Sequence, residues 1–336
     1  MKWIPSLILI VQNLLKNKRL DLTEATIHRL IEVEKRNYNL EEKIMLKSLY
    51  SGVTGMKNIQ TKMDVISNNI ANVNTTSFKS GRVRFEDMIS QTMQQGQKNQ
   101  NPKQVGLGVQ VGSIDTVTTG GSLQTTGRGL DFGIQNGDSS YFTLSTNGED
   151  ETRLYTRDGG FYLSPNNELV TASGYYLMGV TAPANTKYDE SFKIDSLKHN
   201  PDTKLSTLTI PKTNPNDASQ NLQNYVIDGD GLVIGIYGGE PYVLGQVSLA
   251  KFDNAAGLDK IGGNMYLETA NSGEANIGAA SEDGYGELRS GFLEMSNVDL
   301  ANEFTEMIVA SRAYQANSRS ITTSDQMIEE LLSLKR

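Results

Sequence analysis

Apolar residues near the two ends of the chain recur at helical spacing, whereas those in the middle alternate with polar ones. Near the N-terminal end Leu46, Leu49, Val53, Met56, Ile59, Met63, Ile66, Ile70 and Val73 follow three-and-four spacing, with one slip from Met56 to Ile59. This narrow stripe predicts a helix, weakened by Gly52 and Gly55 at about 1 kcal/mol each relative to Ala. At the other end Leu300, Met307, Tyr314, Ile321 and Ile328 recur every seven residues. The companion heptad series, Phe304, Ser311, Ser318, Asp325 and Leu332, is polar in its middle. Ser296 to Asp299 has capping-box-like spacing, with Asp in place of Glu or Gln, and no Pro or Gly follows it to Arg336. One helix is therefore predicted from about Val298, roughly 35 residues and about 50 Å long. Such stripes are too narrow for a compact domain of the same chain to cover. Two readings remain open: a helical hairpin within one chain, or a coiled coil that matures in an assembly. Both bring the ends of the chain together.

From about Asn99 to Gly291 the pattern is of short alternating runs, such as Leu107–Val111, Leu130–Ile134 and Tyr141–Leu144. Asn136-Gly137, Asn147-Gly148 and Asp158-Gly159 fall between runs, where a two-residue hairpin connection needs positive φ. A β-rich middle domain over 81–180 and 225–295 is expected, interrupted by an outer insertion at 181–224 that carries Pro183, Pro201, Pro211 and Pro215. With axial helices at 45–80 and 296–336, the fold class is mixed α and β: long N- and C-terminal helices pairing as a coiled coil, a β-rich middle domain and a small outer insertion.

Composition removes most chemistry. The chain has 336 residues, 37% hydrophobic and 21% charged, with 32 Gly, which fits a folded, turn-rich protein. Its net charge of −8, from 31 basic and 39 acidic residues without a long basic cluster, argues against nucleic acid as a partner. The lack of cysteine excludes thiolate catalysis, disulfides and cysteine metal sites. His28 and His199 are far apart and in no metal-ligand spacing. Asp228-Gly-Asp-Gly231 begins like a calcium loop, but Leu232 replaces the third acidic ligand, so a hairpin turn is expected. Gly106-Leu-Gly108 lacks the third glycine of a dinucleotide site, and nothing sets carboxylates such as Glu282 and Asp283 across a cleft. No catalytic, cofactor or metal residues are expected.

The run Met45–Met56, MLKSLYSGVTGM, followed by Asp64–Lys79, DVISNNIANVNTTSFK, resembles the N-terminal signature of the flagellar hook and rod proteins. Within it Asn68, Asn69, Ala71, Asn72 and Asn74 carry much of the match; the asparagine amides both donate and accept, which suits a helix end. Asn101–Val109, Thr126–Phe132, Tyr155–Phe161 and Gly291–Leu300, the last including Ser296, Asn297 and Val298, resemble the same family in order, as do Ile308–Ser318 and Thr322–Met327. The resemblance covers nearly all of 45–336. Gly137-Asp-Ser-Ser-Tyr-Phe142 departs from the usual Gly-Asp-Gly-Phe-Phe, and Gly129 stands where proline is common. What this implies is a structural subunit, not an enzyme, exported through the flagellar type III apparatus and polymerising with itself into a helical tube. Its other partners would be neighbouring rod and hook-cap or junction proteins.

Within the family the body motifs and the ending Leu331–Arg336 look more like the short hook proteins of Gram-positive bacteria than like the distal rod protein, which is the alternative. Leu49, Val53, Met56, Met63, Ile66 and Ile70, with Leu300, Met307, Tyr314, Ile321 and Ile328, are the expected assembly positions. A secreted β-rich binding module with a helical stalk is a rival of another class, but it leaves the N-terminal stripe unexplained. Residues 1–44 precede the resemblance. Trp3 to Leu15 is too short for a stable membrane span and lacks a cleavage site, while Thr23 to Ile44 reads as a charged amphipathic helix. An extension with no role in the mature axis is expected there, with Met45 the working start; the alternative is a genuine extra segment.

Overall fold

A computed structural model describes residues 24–94, 101–149, 152–183, 186–188, 204–214, 219–282 and 284–334. The expectations for residues 1–23, His199, Pro201, Pro215 and Asp283 fall outside the described residues. Two long helices, α1 (Glu24–Ala71) and α2 (Leu300–Leu334), flank a run of short strands. The charged stretch from Glu24 and the apolar stripe from Leu46 form one continuous helix of 48 residues. Helix α2 starts two residues later than predicted. Asp299 is its cap, accepting from the Ala301 amide at 2.9 Å, while Ser296 makes only a local turn through the Val298 amide. Among the described residues no helix is long and apolar enough to cross a membrane.

Two compact units are distinct: one of 24–65, 83–114 and 304–334, the other of 66–82 and 115–303. In the second, antiparallel strands run in the order Leu222–Ile227, Leu232–Tyr237, Glu240–Lys251, Tyr176–Thr181, Ser140–Ser145, Arg153–Thr156, Met265–Leu267 and Asp259–Gly262. The 12-residue strand Glu240–Lys251 is the spine, pairing along its length with Leu232–Tyr237, Tyr176–Thr181, Ser140–Ser145 and Asn276–Ala279. Its Val247 and Leu249 are fully buried with Phe142, Leu144, Phe161 and Leu177. A second cluster joins Tyr141, Tyr155, Phe252 and Tyr266, whose rings meet edge to face at 4.8–5.9 Å between centroids. Strands from opposite sides of the sequence close the body: Leu123–Thr125 pairs with Phe292–Glu294, and Phe132–Gln135 with Glu287–Ser290.

Two expected hairpin turns do other work. Asn147-Gly148 does join paired strands, with Gly148 at φ +76°. The strands flanking Asn136-Gly137 and Asp158-Gly159 instead pair elsewhere. These glycines are close-approach positions: a Cβ on Gly159 would lie 1.8 Å from the Phe132 carbonyl oxygen, and one on Gly137 2.4 Å from that of Tyr285. Asp228–Gly231 is a turn between paired strands, as its sequence predicts.

The insertion expected at 181–224 is not wholly outer. Its described segment 204–214 carries Leu205, Leu208 and Ile210, all buried, the latter two in the main core. Ser206–Thr207 adds a short strand to Tyr176–Thr181. The Pro-rich composition of the segment masks an apolar alternation, Leu208-Thr-Ile210, that reads as an inward-facing strand.

Candidate assembly site

Helices α1 and α2 touch within the first unit, in antiparallel sense. Ser48 and Ser324 hydroxyls are 3.3 Å apart, and Lys62 pairs with Glu306 at 2.5 Å further along. Between them sit Gly52 and Gly55. A Cβ on Gly52 would fall 2.9 Å from Ile321 Cγ1, and one on Gly55 2.8 Å from Asn317 Nδ2. The glycines that weaken α1 as an isolated helix are thus what lets α2 approach. On α2 the contacting positions include Asn317, Ile321 and Ser324, and Ala310 and Ser324 are buried. The small-residue series beside Met307, Ile321 and Ile328 therefore runs through Ala310, Asn317 and Ser324, one residue from the Phe304 series that the sequence suggested. Asn58 of α1 also donates to the Val109 carbonyl. Beside it is an open groove of about 460 Å³ lined by Ser51, Gly55, Phe85, Gly108 and Asn317 among others, without a titratable group.

Outside this contact the pair presents apolar side chains to solvent. On α2 Phe304 is 51% exposed, Ile308 62% and Val309 55%, and Leu300 lies one turn before Phe304. On α1 Tyr50 and Val53 are exposed. Leu300, Phe304 and Ile308 are spaced by four and share one helical face.

The signature asparagines divide into two roles within the second unit. Asn69, buried, holds the turn after α1: its amide accepts from the Gly81 N–H and donates to the Gly81 carbonyl, both at 2.9 Å, and also reaches Glu303 Oε1 at 3.0 Å. Asn297 does the same before α2, accepting from the Ser80 N–H at 2.8 Å and donating to the Val117 and Thr119 carbonyls. Asn72 ties the last turn of α1 to Asn68, while the side chains of Asn68, Ala71 and Asn74 face solvent. Ser296 and Val298 are half-buried.

Between these asparagines lies a buried ionic triad that sequence reading missed. Glu294 Oε1 meets Lys79 Nζ and its Oε2 meets Arg157 Nε, each at 2.6 Å, and all three side chains are about 1% exposed. Lys79 Nζ also donates to the Thr119 carbonyl at 2.9 Å, Arg157 Nη1 to the Ser140 carbonyl at 2.5 Å and to that of Gly137, and the Gly121 amide to Glu294 Oε1 at 2.8 Å. Burial pushes the Lys79 ammonium below its usual range, against the opposing pull of Glu294. Burial alone would raise the Glu294 carboxyl, but Arg157 and then Lys79 hold it below the ordinary carboxylate range. Each triad member sits in a quoted motif, yet each reads there as a surface charge.

Of the predicted assembly positions, Ile66 is buried, and Leu49, Met56, Met63, Ile70, Met307, Ile321 and Ile328 are half-buried. Val53, Leu300 and Tyr314 are exposed and so lie outside the intrachain contact. Gly52, Gly55, Ala310, Asn317 and Ser324 were missed; Gly52-x-x-Gly55 and the seven-residue spacing on α2 were the available signals.

The two long helices lie against each other over 48–62 and 306–324 and keep apolar side chains in solvent. Comparison with known proteins identifies the family. Residues 49–79 match the "Flagella basal body rod protein" model, 136–235 the "Flagellar hook protein FlgE/F/G D1 domain" and 289–334 the "Flagellar basal body rod FlgEFG protein C-terminal". The chain is 45% identical over 300 residues to the flagellar basal-body rod protein FlgG of Bacillus subtilis, a match covering 87% of this chain and 100% of the relative. It is 36% identical over 299 residues to FlgG of Borreliella burgdorferi and 30% identical over 446 residues to the flagellar hook protein FlgE of that organism, with the same coverages. The chain belongs to the flagellar hook and basal-body rod family. It is thus a structural component of the bacterial flagellum, not an enzyme, and its family polymerises into axial structures.

Proposed function

We propose that this chain is a rod-type subunit of the flagellar axis that polymerises with copies of itself into a helical tube. The observation that carries this reading is the length of the alignments. Matching the same 87% of the chain takes 300 positions against the Bacillus FlgG but 446 against the Borreliella FlgE, so that hook protein carries long segments with no counterpart here. In this reading α1 and α2 pack as a coiled coil around the small-residue contact at Gly52 and Gly55, and the stripe of Leu300, Phe304 and Ile308 meets neighbouring copies. Contacts repeated by a rotation that does not close generate an open tube. The export apparatus and adjacent rod, cap or junction proteins are the further partners.

A hook subunit is the second reading, supported by the hook relatives and by the body motifs. Antibody labelling of isolated hook–basal bodies tests the choice. Label confined to the straight rod between the rings is the expected result, and label along the curved hook would overturn it in favour of the second reading.

A further inference from the structure

We propose that Glu294, with Lys79 and Arg157, is a charge clamp that fixes the two chain crossings next to the terminal helices onto the β-rich body, and that neutralising Glu294 releases both crossings while the body stays folded. The clamp is assembled from three separate stretches of chain. Lys79 ends the turn that follows α1, Glu294 ends the strand Phe292–Glu294 that leads to α2, and Arg157 follows the body strand Arg153–Thr156. Backbone contacts bind the same three stretches: the Ser77 amide donates to the Glu294 carbonyl, and the Ser77 hydroxyl to the Arg157 carbonyl, both at 2.8 Å. One carboxylate thus answers two buried cations and an amide.

Asp138 is the other acid acting on Lys79, and its Oδ1 is engaged by the Gly120 amide. Also beside the clamp are the Tyr141 and Tyr266 phenols, both raised by burial and so neutral, Lys260, whose Nζ donates to the Lys79 carbonyl, and Asp158, next to Arg157 in the chain, whose carboxyl burial pushes up. With Glu294 neutral, two buried like charges would face each other with no counter-ion, a costly arrangement that opening to water relieves. The main core of Phe142, Phe161, Leu177 and Val247 is a side-chain cluster that includes no member of the triad, which reaches it through the Arg157 contact with the Ser140 carbonyl. Because the folded Glu294 is held below the ordinary carboxylate range, the clamp is closed above that range and opens as pH falls through the lowered value.

Hydrogen exchange on the full chain tests this. In Glu294→Gln at pH 7, protection of the Ser77 and Gly121 amides, and of the Met295 amide that donates to the Ser122 carbonyl at 2.9 Å, is expected to drop at least tenfold, while amides of the spine strand Glu240–Lys251 keep wild-type protection. If Glu294→Gln does not fold, the wild-type chain is titrated from pH 6 to pH 3 instead. Loss of protection at Ser77, Gly121 and Met295 at a higher pH than at the spine supports the clamp. Unchanged protection of those three amides in a folded variant, or loss at crossings and spine together in the titration, overturns it.

Discussion

Substituting Gly52→Leu is expected to abolish assembly while leaving the β-rich body folded. A Cβ at this position would already lie 2.9 Å from Ile321 Cγ1 and 3.3 Å from its Cδ1, with the Asn317 carbonyl 3.7 Å away. A leucine adds three more carbons where α2 leaves no space, so the helices must separate or Ile321 must leave its rotamer. Intrinsic propensity runs the other way: replacing a mid-helix glycine with leucine favours the isolated helix by roughly 0.5–1 kcal/mol. Overpacking typically costs about 1–3 kcal/mol per site, and in a polymer the cost recurs at every subunit. The steric effect therefore wins, and α1 becomes more helical yet less able to pair. Circular dichroism and negative-stain microscopy read the two quantities separately. Tubes forming at the wild-type concentration would show that the glycine approach is not needed.

The second large effect is in the segment that looks like a dispensable insertion. Leu208→Ala and Ile210→Ala should each destabilise the body by about 2–5 kcal/mol, because both side chains are all but fully buried in the main core. Their backbone is also engaged: the Leu208 amide donates to Leu177, the Ile210 amide to Asn167, and the Leu208 carbonyl accepts from Leu169. Deleting 181–224 entire should therefore unfold the body and not merely trim its outer surface. Urea unfolding followed by the aromatic signal of the Tyr141–Phe252 cluster reads this directly. A deletion variant with the wild-type midpoint would contradict the core role of 204–214.

What was legible in the sequence follows from periodicity. Both long helices and the strand-rich middle could be read from heptad and alternating patterns that burial imposes. The neighbouring heptad series on α2 was misassigned because Phe304 looks like a core residue and Ala310, Asn317 and Ser324 do not. Close backbone approach selects small side chains, so the interface is marked by what is missing. The triad was illegible for a different reason. Lys79, Arg157 and Glu294 lie 78 and 137 residues apart along the chain, and no local spacing signals that three charges will be buried on one another. Gly159 likewise looks like half of a turn dipeptide until the Phe132 carbonyl is seen against it.

The exposed stripe on α2 is expected to become an interface between copies of the chain. Because the chain has no cysteine, a single Ile308→Cys gives an unambiguous chemical probe at the most exposed position of that stripe. Rapid labelling by a small thiol reagent in the dispersed chain, falling by at least tenfold in the assembled tube, is the result the account predicts. Equal labelling rates in dispersed and assembled forms would contradict it, because the stripe would then face solvent in the polymer as it does in the single chain.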